Sequence, residues 1–170
     1  MVWLNLTIEP SALMLGAEFD AISDSIKTYR VPLERSVREV MRYSLQENFH
    51  AEGRPDKWTP LADSTILRKG FSNILLLTGT LYHTAGQLNI WSYTSDTAQI
   101  TNLGKADYGV YHQMGYGQKY QLISQGSNKV PAREWALIQD PEDYDAIQQI
   151  FEEWLMEKFG EHWNDVSVES

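Results

Sequence analysis

A chain of 170 residues with 42% apolar and 22% charged side chains suits one globular domain with a real core, and the absence of Cys excludes disulfides, thiolate metal ligands and a cysteine nucleophile. The net charge of −9 is lodged at one end: residues 1–138 hold 13 basic and 13 acidic side chains, whereas residues 139–170 hold ten acids against Lys158 alone. No cluster of Lys and Arg is present, which disfavours tight gripping of nucleic acid by a single chain.

The first residues, "MVWLNLTIEP", place no basic segment ahead of an apolar core, so no signal peptide is expected. Within them Val2, Leu4, Leu6 and Ile8 alternate onto one face and predict a strand closed by Pro10. Phe19, Ile22, Ile26 and Tyr29 recur at helical spacing. Pro32 suits the first turn of a second helix, whose stripe of Leu33, Val37, Val40, Met41, Leu45 and Phe49 is the clearest in the chain. Gly53, Pro55 and Pro60 then forbid regular structure.

"DSTILRKG" predicts a short helix capped by Asp63 or Ser64 and stopped at Gly70. "LLLTGTLYHTAG" predicts another short helix or turn. Its neighbour "NILLLTGTL" is the most apolar stretch of the chain and falls far short of the ~20 residues a membrane span needs. Residues 87–94 and 97–103 flank "SD" as a β-hairpin. "ADYGVYHQMG" predicts a short helix closed by Gly115, and residues 116–130 a loop or projecting arm. "VPAREWALI" is expected to return as a strand. Asp140 as N-cap and Pro141 at the first position open a last helix with a stripe of Tyr144, Ile147, Ile150, Phe151, Trp154, Leu155 and Phe159. The expected architecture is α+β: a small, mainly antiparallel sheet packed against two long amphipathic helices. It makes one domain over residues 1–160, with the arm at 116–130 and a flexible acidic tail at 161–170.

Catalytic patterns are sparse. His50, His83, His112 and His162 never pair at metal-ligand spacing, and neither H-E-x-x-H nor G-x-S-x-G occurs. His112 reads as a partly buried imidazole bonded to backbone, or as a general base without a visible partner. Arg133, between Pro131 and Trp135, reads as an ion-pair or stacking anchor rather than a substrate clamp. Trp58 is either a plug tethering its loop to the core or an exposed aromatic anchor at an interface.

Taken in order, four segments resemble the phage virion morphogenesis family, the tail-completion or neck proteins of Mu-like tailed phages. The first is carried by Gly53, Pro55, Asp56, Trp58, Pro60, Leu61, Ser64, Thr65 and Lys69. The second is Leu75, Thr78, Gly79 and Leu81, and the third Tyr108, His112, Gln113 and Gly115. The fourth is Pro131, Ala132, Arg133 and Trp135. The resemblance covers most of residues 17–160. Lys57, Gly109 and Glu134 depart from the family's Gly, Ala and Pro.

The resemblance implies a non-enzymatic virion subunit that forms a ring at the head–tail junction, as neck, tail-completion or tail-terminator protein. Its implied partners are five or eleven further copies of itself, neighbouring connector and tail-tube or terminator proteins, and DNA passing through the channel without specific binding. The implied location is the virion neck or tail, after assembly in the host cytoplasm, with no cofactor, metal or membrane. The alternative is a small hydrolase using His112 as base. Asp143, Asp145, Glu152, Glu153 and Glu157 on the last helix are either a solvated face that aids solubility or a negative collar lining the channel.

Overall fold

The structure is a computed structural model that describes residues 20–21, 23–24, 26–115 and 130–166, with side chains described as far as residue 160. The strand expected over residues 2–8, the arm except for Val130, and the end of the tail lie outside the described residues. The first helical stripe, Phe19 to Tyr29, is described only in part.

The described chain mixes helices with a two-stranded antiparallel sheet. Helix α1 (Arg30–Ser36), a π turn (Val37–Met41) and helix α2 (Arg42–His50) run on without a break. Pro32 lies in the first turn, where its missing N–H costs nothing. Just ahead of the π turn, the Ser36 hydroxyl bonds back to Pro32 O at 2.8 Å, a contact that tends to bend helices. Val37, Met41, Leu45 and Phe49 face inward at 6% exposure or less.

Phe49 is the hub of the core. Its ring meets Trp58 edge-on at 5.7 Å, Tyr82 edge-on at 5.9 Å and Trp135 tilted at 6.0 Å. Such pairs add roughly 0.5–1.5 kcal/mol each to simple burial. Leu81, Ala85, Ala106 and Ile74 complete this centre.

Gly53 makes the Trp loop possible. It sits at φ +110°, and a Cβ there would lie 2.5 Å from Asp56 O and 2.6 Å from Trp58 N. The loop therefore closes tightly enough for the Trp58 N–H to donate to Glu52 O at 2.7 Å. Helix α3 (Asp63–Lys69) follows, with α4 (Thr80–Ala85) after an irregular stretch. The N-cap of α3 is Ala62, with no side-chain cap, rather than Asp63 or Ser64. The helix starts earlier than expected, which leaves Asp63 in its first turn, where an acid suits the helix dipole. Gly70 ends it in the left-handed conformation, as expected.

The hairpin is shorter than its sequence pattern. Strand β1 (Trp91–Tyr93) pairs with β2 (Ala98–Ile100), Trp91 opposite Ile100 and Tyr93 opposite Ala98. Residues Leu88–Ile90 form a 3-10 turn instead of extending β1. A second 3-10 turn (Gly104–Ala106) leads into α5 (Gly109–Met114).

"VPAREWALI" does not return as a strand. Val130 makes a single bridge and the rest is irregular: Trp135 O and Ala136 N–H are taken by the side chains of Asn48 and Gln113, and Arg133 N–H by the His112 carbonyl of α5. Helix α6 (Glu142–Val166) closes the described chain. Its opening turn is fastened by Asp143, not Asp140: the carboxylate accepts from Gln139 N–H at 2.8 Å while Asp143 N–H donates to Gln139 O at 2.9 Å. Ile150 and Trp154 of its stripe are buried, whereas Tyr144 and Phe159 are about half exposed. Arg35 ties α6 to α1 through Glu153 at 2.7 Å. No helix among the described residues is long and apolar enough to cross a membrane.

Candidate functional site

The four sequence motifs, scattered over residues 53–135, meet around the C-terminal end of α2. The Trp loop supplies Trp58, which is buried, so it is the plug and not an exposed anchor. Its indole N–H points to Glu134 O at 3.4 Å. From the fourth motif, the Arg133 guanidinium reaches back to the same loop: Nε and Nη2 both donate to Thr59 O, at 3.2 and 3.0 Å. Arg133 is 6% exposed, and burial draws its pKa below the ordinary arginine value. Among the described residues it makes no ion pair.

The third motif receives the fourth along α5. Arg133 N–H donates to His112 O at 2.6 Å, and Trp135 Nε1–H donates to Gly109 O at 2.9 Å. The Gln113 side chain acts as a strand would: its Nε2 donates to Ala136 O at 3.2 Å and its Oε1 accepts Ala136 N–H at 2.9 Å. The second motif lies directly beneath. Gly79, at φ +70°, turns the chain into α4, with the Thr78 and Thr80 hydroxyls 2.8 Å apart. That places Leu81 under α5, where a Cβ on Gly109 would come within 2.6 Å of Leu81 Cδ1. A glycine at position 109 thus suits this packing.

Gly115 has a similar local reason. Its φ of 72° and ψ of 151° fall in a region essentially reserved for Gly, and a Cβ would lie 2.8 Å from Ala132 N. Leu61 packs at the core's edge, while Pro60 is exposed and Pro131 half-buried. Tyr108 stays on the surface, its ring edge-on to His112 at 6.0 Å.

His112 is half-buried, and its Nδ1 has no hydrogen-bond partner among the described residues. Burial, then the nearby Arg133 charge, holds its pKa below the ordinary imidazole value. Among the described residues no backbone group bonds the imidazole; the backbone bond here belongs to the His112 carbonyl. No group of three His, Cys, Asp or Glu among the described residues is placed to hold a metal ion.

A second cluster escaped the sequence reading. Asn48, fully buried, donates to Trp135 O at 3.0 Å and accepts from Arg54 Nε at 2.8 Å and Gln139 Nε2 at 3.2 Å. Arg54 Nη2 also donates to Ser44 Oγ at 2.7 Å, and that hydroxyl donates to Asp143 Oδ2 at 2.5 Å. Ser44 and Asn48, four apart and beside Leu45 and Phe49, were the available signal: two polar residues on the edge of an apolar stripe.

This cluster corrects the acidic face. Asp143 is 6% exposed and points into the interior, so it belongs to no exposed collar. Glu153 is half-covered and paired with Arg35; hydrogen bonds from Gln149 and then Arg35 hold its carboxyl below the usual range. Asp145, Glu152 and Glu157 remain exposed.

Among the described residues, two concavities lie elsewhere. An apolar groove of about 570 Å³ runs between α1–α2, the hairpin and the start of α6, and a polar one of about 320 Å³ is bordered by His83, Asn102 and Lys105. His112 and Arg133 line neither.

No protein-family model, curated protein or solved structure matches the chain.

Proposed function

We propose that the chain is a non-enzymatic structural subunit of a tailed-phage virion, forming a ring at the head–tail junction. The resemblance of its four ordered motifs suggests this role. The observation that carries the reading further is what three of the motif side chains do: they spend their polar groups on the backbones of other segments. Arg133 holds Thr59, Trp135 holds Gly109, and Gln113 holds Ala136. Side chains so committed build a scaffold and are not free for a substrate.

The scaffold pins both ends of residues 116–129 and presents exposed Tyr108, Val110 and Met114 beside one of them. Exposed aromatic and sulfur-bearing side chains of this kind are enriched where proteins dock. The neighbours in this reading are further copies of the chain, in a ring of six or twelve, with connector and tail proteins above and below. DNA passes through without specific contacts. Head-to-tail contacts between identical subunits close into rings when the rotation permits.

The hydrolase alternative needs His112 to be oriented by a partner and to face a cavity. Among the described residues its Nδ1 has no partner, and neither of the two grooves they form is lined by His112. Sedimentation and electron microscopy of the purified chain, with labelled chain located on particles, test the proposal. Closed rings and label at the neck are the expected result. A chain that stays monomeric at high concentration and is absent from particles refutes it.

A further inference from the structure

The apolar groove has the wrong chemistry for a finished surface. Its walls are Leu33 and Met41 from the first helix, Trp91 and Ile100 from the hairpin, and Ile147 and Phe151 from α6. The polar side chains among its lining residues are those of Ser36, Asp96, Thr97 and Tyr144. At about 570 Å³ it is as large as many ligand sites, yet it offers no convergent set of polar groups to orient a small molecule. The hairpin forming one wall is also only two strands of three residues, a size that is marginal without further partners.

The sequence contains one segment of matching chemistry. Residues 2–8 carry no charged side chain and alternate, with Val2, Leu4, Leu6 and Ile8 on one side and Trp3, Asn5 and Thr7 on the other. A period of two is what an apolar wall beside a short hairpin can accept, because one side of the segment buries while the other faces out.

Chain geometry decides whose segment it is. The N-terminal part joins the described fold at the hairpin turn: Tyr29 N–H donates to Ser95 O at 2.6 Å, and the Thr28 hydroxyl donates to the same oxygen at 3.3 Å. Asp96 and Thr97, the next two residues, line the groove. The chain is thus anchored at the groove's rim, with 19 residues between Ile8 and Thr28. At ~3.3 Å per extended residue that tether reaches well past the groove, even with part of it helical. A tethered segment meets its seat at an effective concentration on the order of millimolar, far above that of free copies in dilute solution. We propose that the groove is the seat of the chain's own residues 2–8, docked through Val2, Leu4, Leu6 and Ile8. This docking is intramolecular and does not depend on ring formation.

The absence of Cys makes the test clean. Leu6→Cys combined with Ala98→Cys places one thiol on the segment and one on the groove wall. The control combines Leu6→Cys with Gln99→Cys, which is exposed and on the other side of β2. In dilute, mildly oxidising buffer the groove pair should close at least about tenfold faster than the control, as an intramolecular disulfide running as a monomer. Equal rates for the two pairs overturn the proposal. Disulfide-linked dimers also overturn it, by giving the groove to another copy's segment. Independently, Leu6→Asp in the full chain should raise binding of an apolar fluorescent dye several-fold, and adding a peptide of residues 1–10 should reverse the rise. Unchanged dye binding counts against the docking.

Discussion

Replacing Asn48 by Ala isolates the buried polar cluster that joins α2, the Trp loop and the segment before α6. The substitution leaves Trp135 O without its donor and removes the acceptor shared by Arg54 Nε and Gln139 Nε2. Neither donor residue is stranded completely: Gln139 Nε2 keeps Arg54 O at 3.2 Å, and Arg54 Nη2 keeps Ser44. A buried group deprived of its partner costs about 1–3 kcal/mol. With one carbonyl fully deprived and two N–H groups partly so, the loss should be about 3–4 kcal/mol, a large share of the roughly 5–15 kcal/mol that holds a typical domain together. For a chain of this size the melting temperature should fall by about 10 °C. Urea unfolding followed by Trp fluorescence measures it directly, with exposed Glu47→Ala as the neighbour expected to change stability by less than ~0.5 kcal/mol. A loss under ~1 kcal/mol for Asn48→Ala would refute the view that this cluster locks the segment in place.

Arg133→Ala should lower the unfolding free energy by about 2–3 kcal/mol, since it deletes a charged fork on Thr59 O, and Arg133→Lys should recover only part of it. Normal unfolding with lost assembly would instead move Arg133 to an interface. His112 should make the protein less stable in mild acid. Its folded pKa lies below the unfolded value of ~6.5, so as pH falls through that value the unfolded chain binds a proton first and stability declines until the folded pKa is reached. The pH dependence of urea midpoints between about 7 and 5 should therefore flatten in His112→Gln; an unchanged slope argues against burial as the cause. Reversing exposed Asp145, Glu152 and Glu157 to Lys should leave melting unchanged. If these acids form a channel collar, the same variant should slow DNA ejection at normal particle yield, and normal ejection leaves them a solubility role.

What the sequence disclosed follows the range of the forces involved. The α1–α2 stripe was legible because Val37, Met41, Leu45 and Phe49 repeat with the helix and bury together. Gly70 and Gly115 were legible as stops because backbone conformations with positive φ are written into single residues. Strand length was not, since residues 88–90 carry the alternation of a strand yet wind into a 3-10 turn, with Ile90 O taking the N–H groups of Thr101 and Asn102. "VPAREWALI" misled because side chains stand in for a neighbouring strand: Asn48, Trp58 and Gln113 take its backbone groups from 23 to 87 residues away. The interior position of Asp143 was hidden because its partner Ser44 lies 99 residues earlier. The motif positions were found by resemblance alone; nothing local announces that Arg133 will hold Thr59.

The interlocked motifs make one deletion informative. Gly115 and Ala132 are already in backbone contact, so the fold holds both ends of the 116–129 connection without help from its length. Closing a loop costs entropy that grows only as (3/2)RT ln n. Replacing the 14 residues 116–129 by about four Gly residues should therefore change closure by roughly 1 kcal/mol in favour of the folded state, less whatever the extra Gly freedom takes back. The shortened chain should unfold at the same urea concentration as the parent or slightly higher. Against that unchanged background, failure to form rings or enter particles assigns the segment to subunit contact. A drop in stability of several kcal/mol would mean instead that these residues complete the core around His112, whose unpartnered Nδ1 then has its acceptor or donor there. Normal folding with normal assembly would remove the segment from the interface and leave Tyr108, Val110 and Met114 to carry it.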